Sequence, residues 1–204
     1  MVTIQILLYE GFDELDAIAP FEVFQTAAGL GVPLSAACVT LEPAPEVRGA
    51  HGLRVCPEGQ VAFAPPPDLL LVPGGGWLSE APRGVRAEIQ GGAIPAALAQ
   101  LHREGTSLAC VCTGALLLAA SGGLNGRPAT THHSAKEALR AAGATVIDAR
   151  VVDDGDVITS GGVTSGVDLA LWVLERWFQP EVALQVERLL EVERRGTVWR
   201  RGQA

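Results

Sequence analysis

SLACVCTGALLLAASG, residues 107–122, passes from an apolar run of strand length through Cys112 into a helix-length run of small residues. A chain that turns this abruptly from strand to helix holds the intervening residue on a sharp, strained bend. That residue is exposed at the sheet edge with the positive end of a helix behind it. A thiol so placed is expected to have a lowered pKa and to react as the thiolate. A buried structural cysteine is the plain alternative, since free cysteine is among the most buried residue types. The small residues Thr113, Gly114 and Ala115 favour the reactive reading, because they leave room around the sulfur.

Further apolar runs of strand length recur at 3–9 (TIQILLY), 33–39 (PLSAACV), 69–73 (LLLVP) and 156–162 (DVITSGG). Helix-length segments lie at 15–28, 93–103, 114–121, 134–142, 164–178 and 180–194. Strands without polar alternation, separated by helices, predict a parallel sheet covered on both faces. The fold class is therefore α/β, a three-layer, doubly wound, flavodoxin-like and mostly parallel sheet with a nucleophile elbow at Cys112. No repeat or low-complexity block interrupts the chain, and APPPD at 64–68 is too short for a linker. Residues 1–204 read as one domain, with its core at 2–178 and a C-terminal helix and tail at 180–204. Residues 47–59 predict an inserted antiparallel hairpin. Segment 164–178 is apolar nearly all round, which predicts a helix under the sheet or at a subunit contact. The charged tail around Trp199 reads as a solvated helix with a docked or frayed end.

Fifteen Lys and Arg against 23 Asp and Glu leave a net charge of −8, which disfavours nucleic acid and anionic lipid as partners. The first residues, MVTIQILLYEGFDELD, lack a signal peptide's basic start, and no apolar run spans a membrane, so a cytoplasmic location is expected. In that reducing setting the four cysteines are expected as thiols. Cys38 and Cys56 lie in short apolar runs and receive no function. Cys110 and Cys112 lack a second Cys or His pair at zinc-knuckle spacing, so no metal is expected.

In open parallel sheets ligands bind beyond the carboxyl ends of the strands. Two other loops there carry polar groups. VPGGGWLSE at 72–80 is either a tight turn or a set of backbone N–H groups that turns toward an oxyanion. In EGFDELDAIAPFEVF at 10–24, Pro20 is expected to open a helix. Asp13, Glu14 or Asp16 either complements that helix's dipole or supplies a carboxylate within reach of the thiol.

Together these stretches resemble the ThiJ/PfpI superfamily, which has the class I glutamine-amidotransferase-like fold. The carriers are GFDELDAIAPFEVF, VPGGG at 72–76, ACVCTGALLLAASG at 109–122, GRPATTHH at 126–133 and ITSGGVTSGVDLAL at 158–171. A Thr after the nucleophile and the Asp of LDAIAP resemble the branch that contains isocyanide hydratase. The resemblance implies Cys112 as nucleophile, Asp16 as acid and base, and Thr113 in the catalytic group. The peptidase-like branch has His where this chain has Thr113, which disfavours proteolysis. His132 matches a His near the nucleophile in several members, and either orients substrate or is a plain loop histidine. His133 stands where the hydratase branch has an aromatic. Some relatives append a helix-turn-helix domain, which these 204 residues do not show.

The expected activity is cysteine-dependent hydration of a small electrophile, an isocyanide giving an N-substituted formamide through a thioimidate on Cys112. Backbone N–H groups near Gly75, Gly76 and Thr113 steady the developing charge. No cofactor is required, and Cys112 and Asp16 are expected to titrate as a pair. Two alternatives stay open: glyoxalase or deglycase chemistry on α-oxoaldehydes, and a redox or stress sensor through Cys112 oxidation. A homodimer is expected from family habit and from the apolar excess of 164–178.

Overall fold

A computed structural model of the chain describes residues 1–78 and 82–202. Ser79 and Glu80, at the end of the VPGGGWLSE stretch, and the last two residues of the tail lie outside the described residues. Strand β1 (Val2–Leu7) leads into helix α1 (Glu14–Gly29) and then β2 (Leu34–Thr40). Short strands β3 (Val47–Arg48) and β4 (Arg54–Val55) form the expected antiparallel hairpin. Next come β5 (Gly59–Gln60), β6 (Leu69–Val72), α2 (Val85–Gly91), α3 (Ala93–Arg103), β7 (Ser107–Cys110) and α4 (Gly114–Ala120). The remainder is β8 (Pro128–Ala129), α5 (Lys136–Ala141), β9 (Thr145–Val146), β10 (Val151–Asp153), β11 (Val157–Ser160), α6 (Ser165–Trp177), α7 (Pro180–Leu190) and β12 (Val198–Arg200).

Eight strands make one sheet in the order β12-β10-β11-β7-β6-β1-β2-β5. Its neighbours are parallel except for β10 and β11. Helices cover both faces, as the runs without polar alternation require: α1, α6 and α7 pack together, and α2 to α5 form a second group. Leu69–Val72 and Leu108–Cys110 are completely or almost completely buried, so β6 and β7 form the centre of the core.

Register decides what meets at the carboxyl edge. Val72 pairs with Cys110, and Thr159 pairs with Cys110 on the other side. The chain therefore leaves the sheet side by side at Pro73–Gly75, at Val111–Thr113 and at Gly161–Val163. Ile6 pairs with Leu71, which brings the start of α1 to the same edge. There the Asp13 N–H donates to the Gly74 carbonyl at 2.8 Å.

Two expectations need correction, and two open alternatives are decided. Pro20 does not open α1 but lies inside it, because Asp13 already caps the helix by accepting the Leu15 N–H at 3.2 Å. Its ring leaves the carbonyl four residues back, that of Asp16, without a helical donor. The second concerns α7, which stops at Leu190: Glu191 turns into the left-handed region at φ 50°, and the chain reverses. Third, of the docked and frayed ends expected for the tail the structure shows the docked one: Val198–Arg200 form β12, which pairs with β10 and covers that sheet edge. Finally, the apolar excess of 164–178 is used within the chain, since Leu169–Leu174 of α6 are buried there. It therefore gives no support to a subunit contact.

Gly114 shows how tightly the elbow is closed: a Cβ there would lie 2.3 Å from the Val72 carbonyl oxygen. Gly91 sits in a helix with ordinary φ and nothing within 4 Å of such an atom. Urea denaturation should find Gly114→Ala destabilised by about 2 kcal/mol or more. Gly91→Ala should gain about 0.4–1 kcal/mol.

Candidate active site

Cys112 occupies the elbow between β7 and α4 with φ 56°, in the left-handed region that L-residues rarely adopt. Three contacts fix it. Its N–H donates to the Gly161 carbonyl at 2.9 Å, its carbonyl accepts the Thr131 hydroxyl at 2.7 Å, and the Gly114 N–H closes the turn onto Val111. The side chain lines a cavity of about 340 Å³ with Gly76, Trp77, Thr113, His132, Ser134 and Val163. Cys112 is only 7% exposed.

Asp16 projects from the first turn of α1 and is completely buried. Its Oδ2 accepts the Gly74 N–H at 2.9 Å, while Oδ1 has no hydrogen-bond partner among the described residues. Burial, helped by the negative charge of Asp13, pushes its carboxyl up to about 8; the Gly74 N–H and the Cys112 thiol pull the other way. The thiol is itself pushed up to about 12 by burial and by the Asp16 charge. This corrects the expectation of a lowered thiol pKa. The positive end of the short helix α4 does not offset the loss of water together with a neighbouring carboxylate. N–H groups of Val163 and Thr113 partly oppose the rise by favouring the sulfur anion.

Thr113 joins two of the converging loops, because its Oγ1 accepts the Gly75 N–H at 3.0 Å. That bond changes the roles expected of the glycine loop. The N–H of Gly74 is committed to Asp16 and that of Gly75 to Thr113, so neither faces a ligand. The Gly76 N–H has no acceptor among the described residues, those of Thr113 and Val163 have only the Cys112 sulfur, and all three residues line the cavity. Val163 was not singled out from sequence. The signal was the Gly161-Gly162 pair, which permits the loop; Val163 itself holds φ 45°, strained for a β-branched residue.

His132 Nδ1 lies 2.8 Å from the Ser134 hydroxyl and accepts the Ser134 N–H at 3.3 Å. Burial, with the charge of neighbouring His133, lowers its pKa. The ring is thus neutral at pH 7 and carries its proton on Nε2. Its edge packs against Gly162, where a Cβ would come within 2.2 Å of the ring. The ring of His133 leans against it at a tilt of 40°, with ring centroids 4.1 Å apart.

His51, also missed from sequence, stands at the cavity mouth with Nδ1 2.7 Å from Glu14 Oε2. Burial raises the Glu14 carboxyl, but the His51 ring and the N–H groups of His51 and Leu53 outweigh it and hold the pKa below its usual value. The Glu14 hydrogen bond raises the His51 pKa. Ligand atoms of Asp13, Glu14 and His51 lie within 4.8 Å of one another. Helix capping by Asp13 and loop tethering by Glu14 account for that grouping. Among the described residues no helix is long and apolar enough to cross a membrane.

The model of the DJ-1/PfpI family matches residues 2–176. An isonitrile hydratase of Pseudomonas putida is 30% identical over 185 residues, covering 91% of this chain and 76% of that protein. A Parkinson disease protein 7 homolog of Danio rerio is also 30% identical, over 89% of this chain and 93% of its own. Among solved structures, a ThiJ/PfpI family protein from Pseudomonas syringae has a TM-score of 0.83 at 28% identity, covering 96% of this chain and 76% of that one.

Burial of the Asp16 carboxyl has a consequence for stability. The folded state binds its proton more tightly than the unfolded chain, whose carboxyl titrates near the ordinary 3.8. The neutral carboxyl's contribution is therefore fully present below about pH 4 and is lost as pH rises through about 8. Urea denaturation across this range should show wild type losing stability relative to Asp16→Asn as pH rises, with the difference levelling above about pH 8. A difference that grows toward acid pH instead would mean that the carboxyl is ionised in the folded protein.

Proposed function

The chain belongs to the DJ-1/PfpI family, and on that premise we propose that it hydrates a small electrophile at Cys112, an isocyanide being converted to an N-substituted formamide. The observation that carries this reading is the buried carboxyl–thiol pair: Asp16 is sealed beneath the surface beside Cys112, whose side chain lines the cavity together with Gly76, Thr113 and Val163. Addition to an isocyanide carbon needs a sulfur nucleophile and a proton at the same carbon, and a pair holding one proton between two sites supplies both.

The acting state is the pair with one proton. Asp16 takes the thiol proton as the sulfur attacks the terminal carbon, then gives it to that carbon, leaving a thioimidate on Cys112. The ionised carboxylate next takes a proton from water while the hydroxide adds to the thioimidate carbon, and hands that proton to the nitrogen. Collapse expels the Cys112 thiolate, and the departing hydroxyl proton returns to Asp16. N–H groups of Gly76, Thr113 and Val163 steady the negative charge along this path. Substrate plus water equals product, and the pair ends as it began. Oδ1, the oxygen without a hydrogen-bond donor, is the seat of the mobile proton, since Oδ2 is held as an acceptor by Gly74.

A turnover screen of isocyanides, α-oxoaldehydes and peptides tests the reading. Cys112→Ala should abolish turnover, Asp16→Asn should lower kcat by about a hundredfold or more, and His132→Ala should lose less than either. Activity should rise as pH climbs through about 8, where the pair loses its first proton. Near-wild-type rates in Asp16→Asn would overturn the mechanism. No turnover, with peroxide converting Cys112 to a single sulfinic acid, would favour sensing instead.

We also propose a homodimer. Leu15 and Leu53, each 49% exposed, sit beside Val163 and form an apolar rim next to the cavity mouth. Light scattering at micromolar concentration should report a dimer, and Leu15→Glu should shift it toward monomer. A wild-type monomer would count against it.

A further inference from the structure

We propose that Tyr9 is a positioning residue for Asp16, acting through the single peptide unit that joins Pro73 to Gly74. The Tyr9 hydroxyl donates to the Pro73 carbonyl at 2.7 Å, and the N–H of that same peptide, on Gly74, donates to Asp16 Oδ2 at 2.9 Å. A donor on the carbonyl polarises the amide, so its N–H becomes a stronger donor; hydrogen bonds chained in a low-dielectric interior strengthen one another in this way. Tyr9 therefore favours the carboxylate form of Asp16 from the far side of the loop, without touching it.

The surroundings make this path effective. The neighbouring peptides are pinned as well: the Gly74 carbonyl accepts from Asp13, the Gly75 N–H donates to Thr113, and the Gly75 carbonyl accepts from Val85 at 2.9 Å. The loop cannot rotate to find another partner for Asp16. Nor can it be padded, since a Cβ on Gly74 would lie 2.5 Å from Thr113 Oγ1 and 3.0 Å from Asp16 Oδ2. Tyr9 is 6% exposed, and burial together with the charges of Asp16 and Cys112 keeps its phenol protonated and able to donate. Its hydroxyl has no other hydrogen-bond partner among the described residues. Without that hydroxyl the proton would sit more firmly on Asp16, and the singly protonated pair would form only at higher pH.

This inference rests on Asp16 serving as acid and base, but its test does not require turnover. Alkylation of Cys112 by iodoacetamide, followed by peptide mapping, should rise with pH and bend where Asp16 ionises, at about pH 8. Tyr9→Phe keeps the ring and should move the bend upward by on the order of a few tenths of a pH unit. Because Tyr9 is the only tyrosine in the chain, biosynthetic 3-fluorotyrosine replaces it alone. The fluorinated phenol is a stronger donor and should move the bend downward. It also keeps the test open should Tyr9→Phe fail to fold. In an Asp16→Asn background the bend should vanish and neither change should matter.

Opposite shifts that disappear with Asp16 support the proposal. An unmoved bend overturns it, as does a change in rate that persists in Asp16→Asn, which would mark Tyr9 as packing alone. If turnover fails while the bend behaves as described, the proposed reaction is wrong and the Tyr9 role stands.

Discussion

The backbone of Cys112, held at φ 56°, is the constraint on which the site depends. A left-handed conformation disfavours an L-residue by about 1 kcal/mol, so the surrounding structure must impose it. Parallel registry does so: Gly161 and Val72 follow from the pairing of β7 with β11 and β6, and each holds one side of the turn. Gly114 lets the turn close beneath the Val72 and Pro73 carbonyls, where any side chain would collide. The sulfur is then carried out of the sheet into the cavity, beside a carboxyl delivered by the strand on the far side of β6.

Electrostatics follow from that placement. Two acids removed from water and set side by side cannot both ionise near neutrality: burial raises both, the Asp16 charge raises the thiol further, and the thiol in turn favours the carboxylate. On the proposed reading the two act as a pair, unlike a free, activated thiolate. Its chemistry belongs to the shared proton, and its titration belongs to the pair rather than to either residue. Backbone N–H groups set the balance: those of Thr113 and Val163 favour charge on sulfur, and that of Gly74 favours charge on carboxylate. Tyr9, one peptide further out, biases the second of these.

Much of this was legible in the sequence because parallel strands covered on both faces read as unbroken apolar runs. LLLV and SLAC became β6 and β7 with their cysteine elbow. Asp16 and Thr113 fell beside Cys112 because each follows a strand whose carboxyl end reaches the same edge, while His132 reaches the cavity from the loop after β8, outside the main sheet. What escaped were short pieces whose pairing is long-range. VVD and VWR are three-residue runs that become strands only because β11 offers an edge and the tail returns to it. The Glu14–His51 contact joins residues 37 apart through the hairpin, and no local spacing announces it. In sequence the thiol faces both a helix end that lowers its pKa and a carboxylate that raises it, and the depth of burial, which local sequence does not show, decides for the rise. The division of N–H groups among Gly74, Gly75 and Gly76 depends on which carboxyl or hydroxyl each meets, which a run of three glycines does not specify.

The central claim is that the buried carboxyl of Asp16 keeps its proton at neutral pH. Isotope-edited infrared spectroscopy of aspartate-labelled protein measures this directly, with Asp16→Asn assigning the band. A protonated carboxyl stretch present at about pH 7, absent from the variant and lost on passing about pH 8, is the predicted result. A carboxylate spectrum for Asp16 at every pH above about 5 would contradict it.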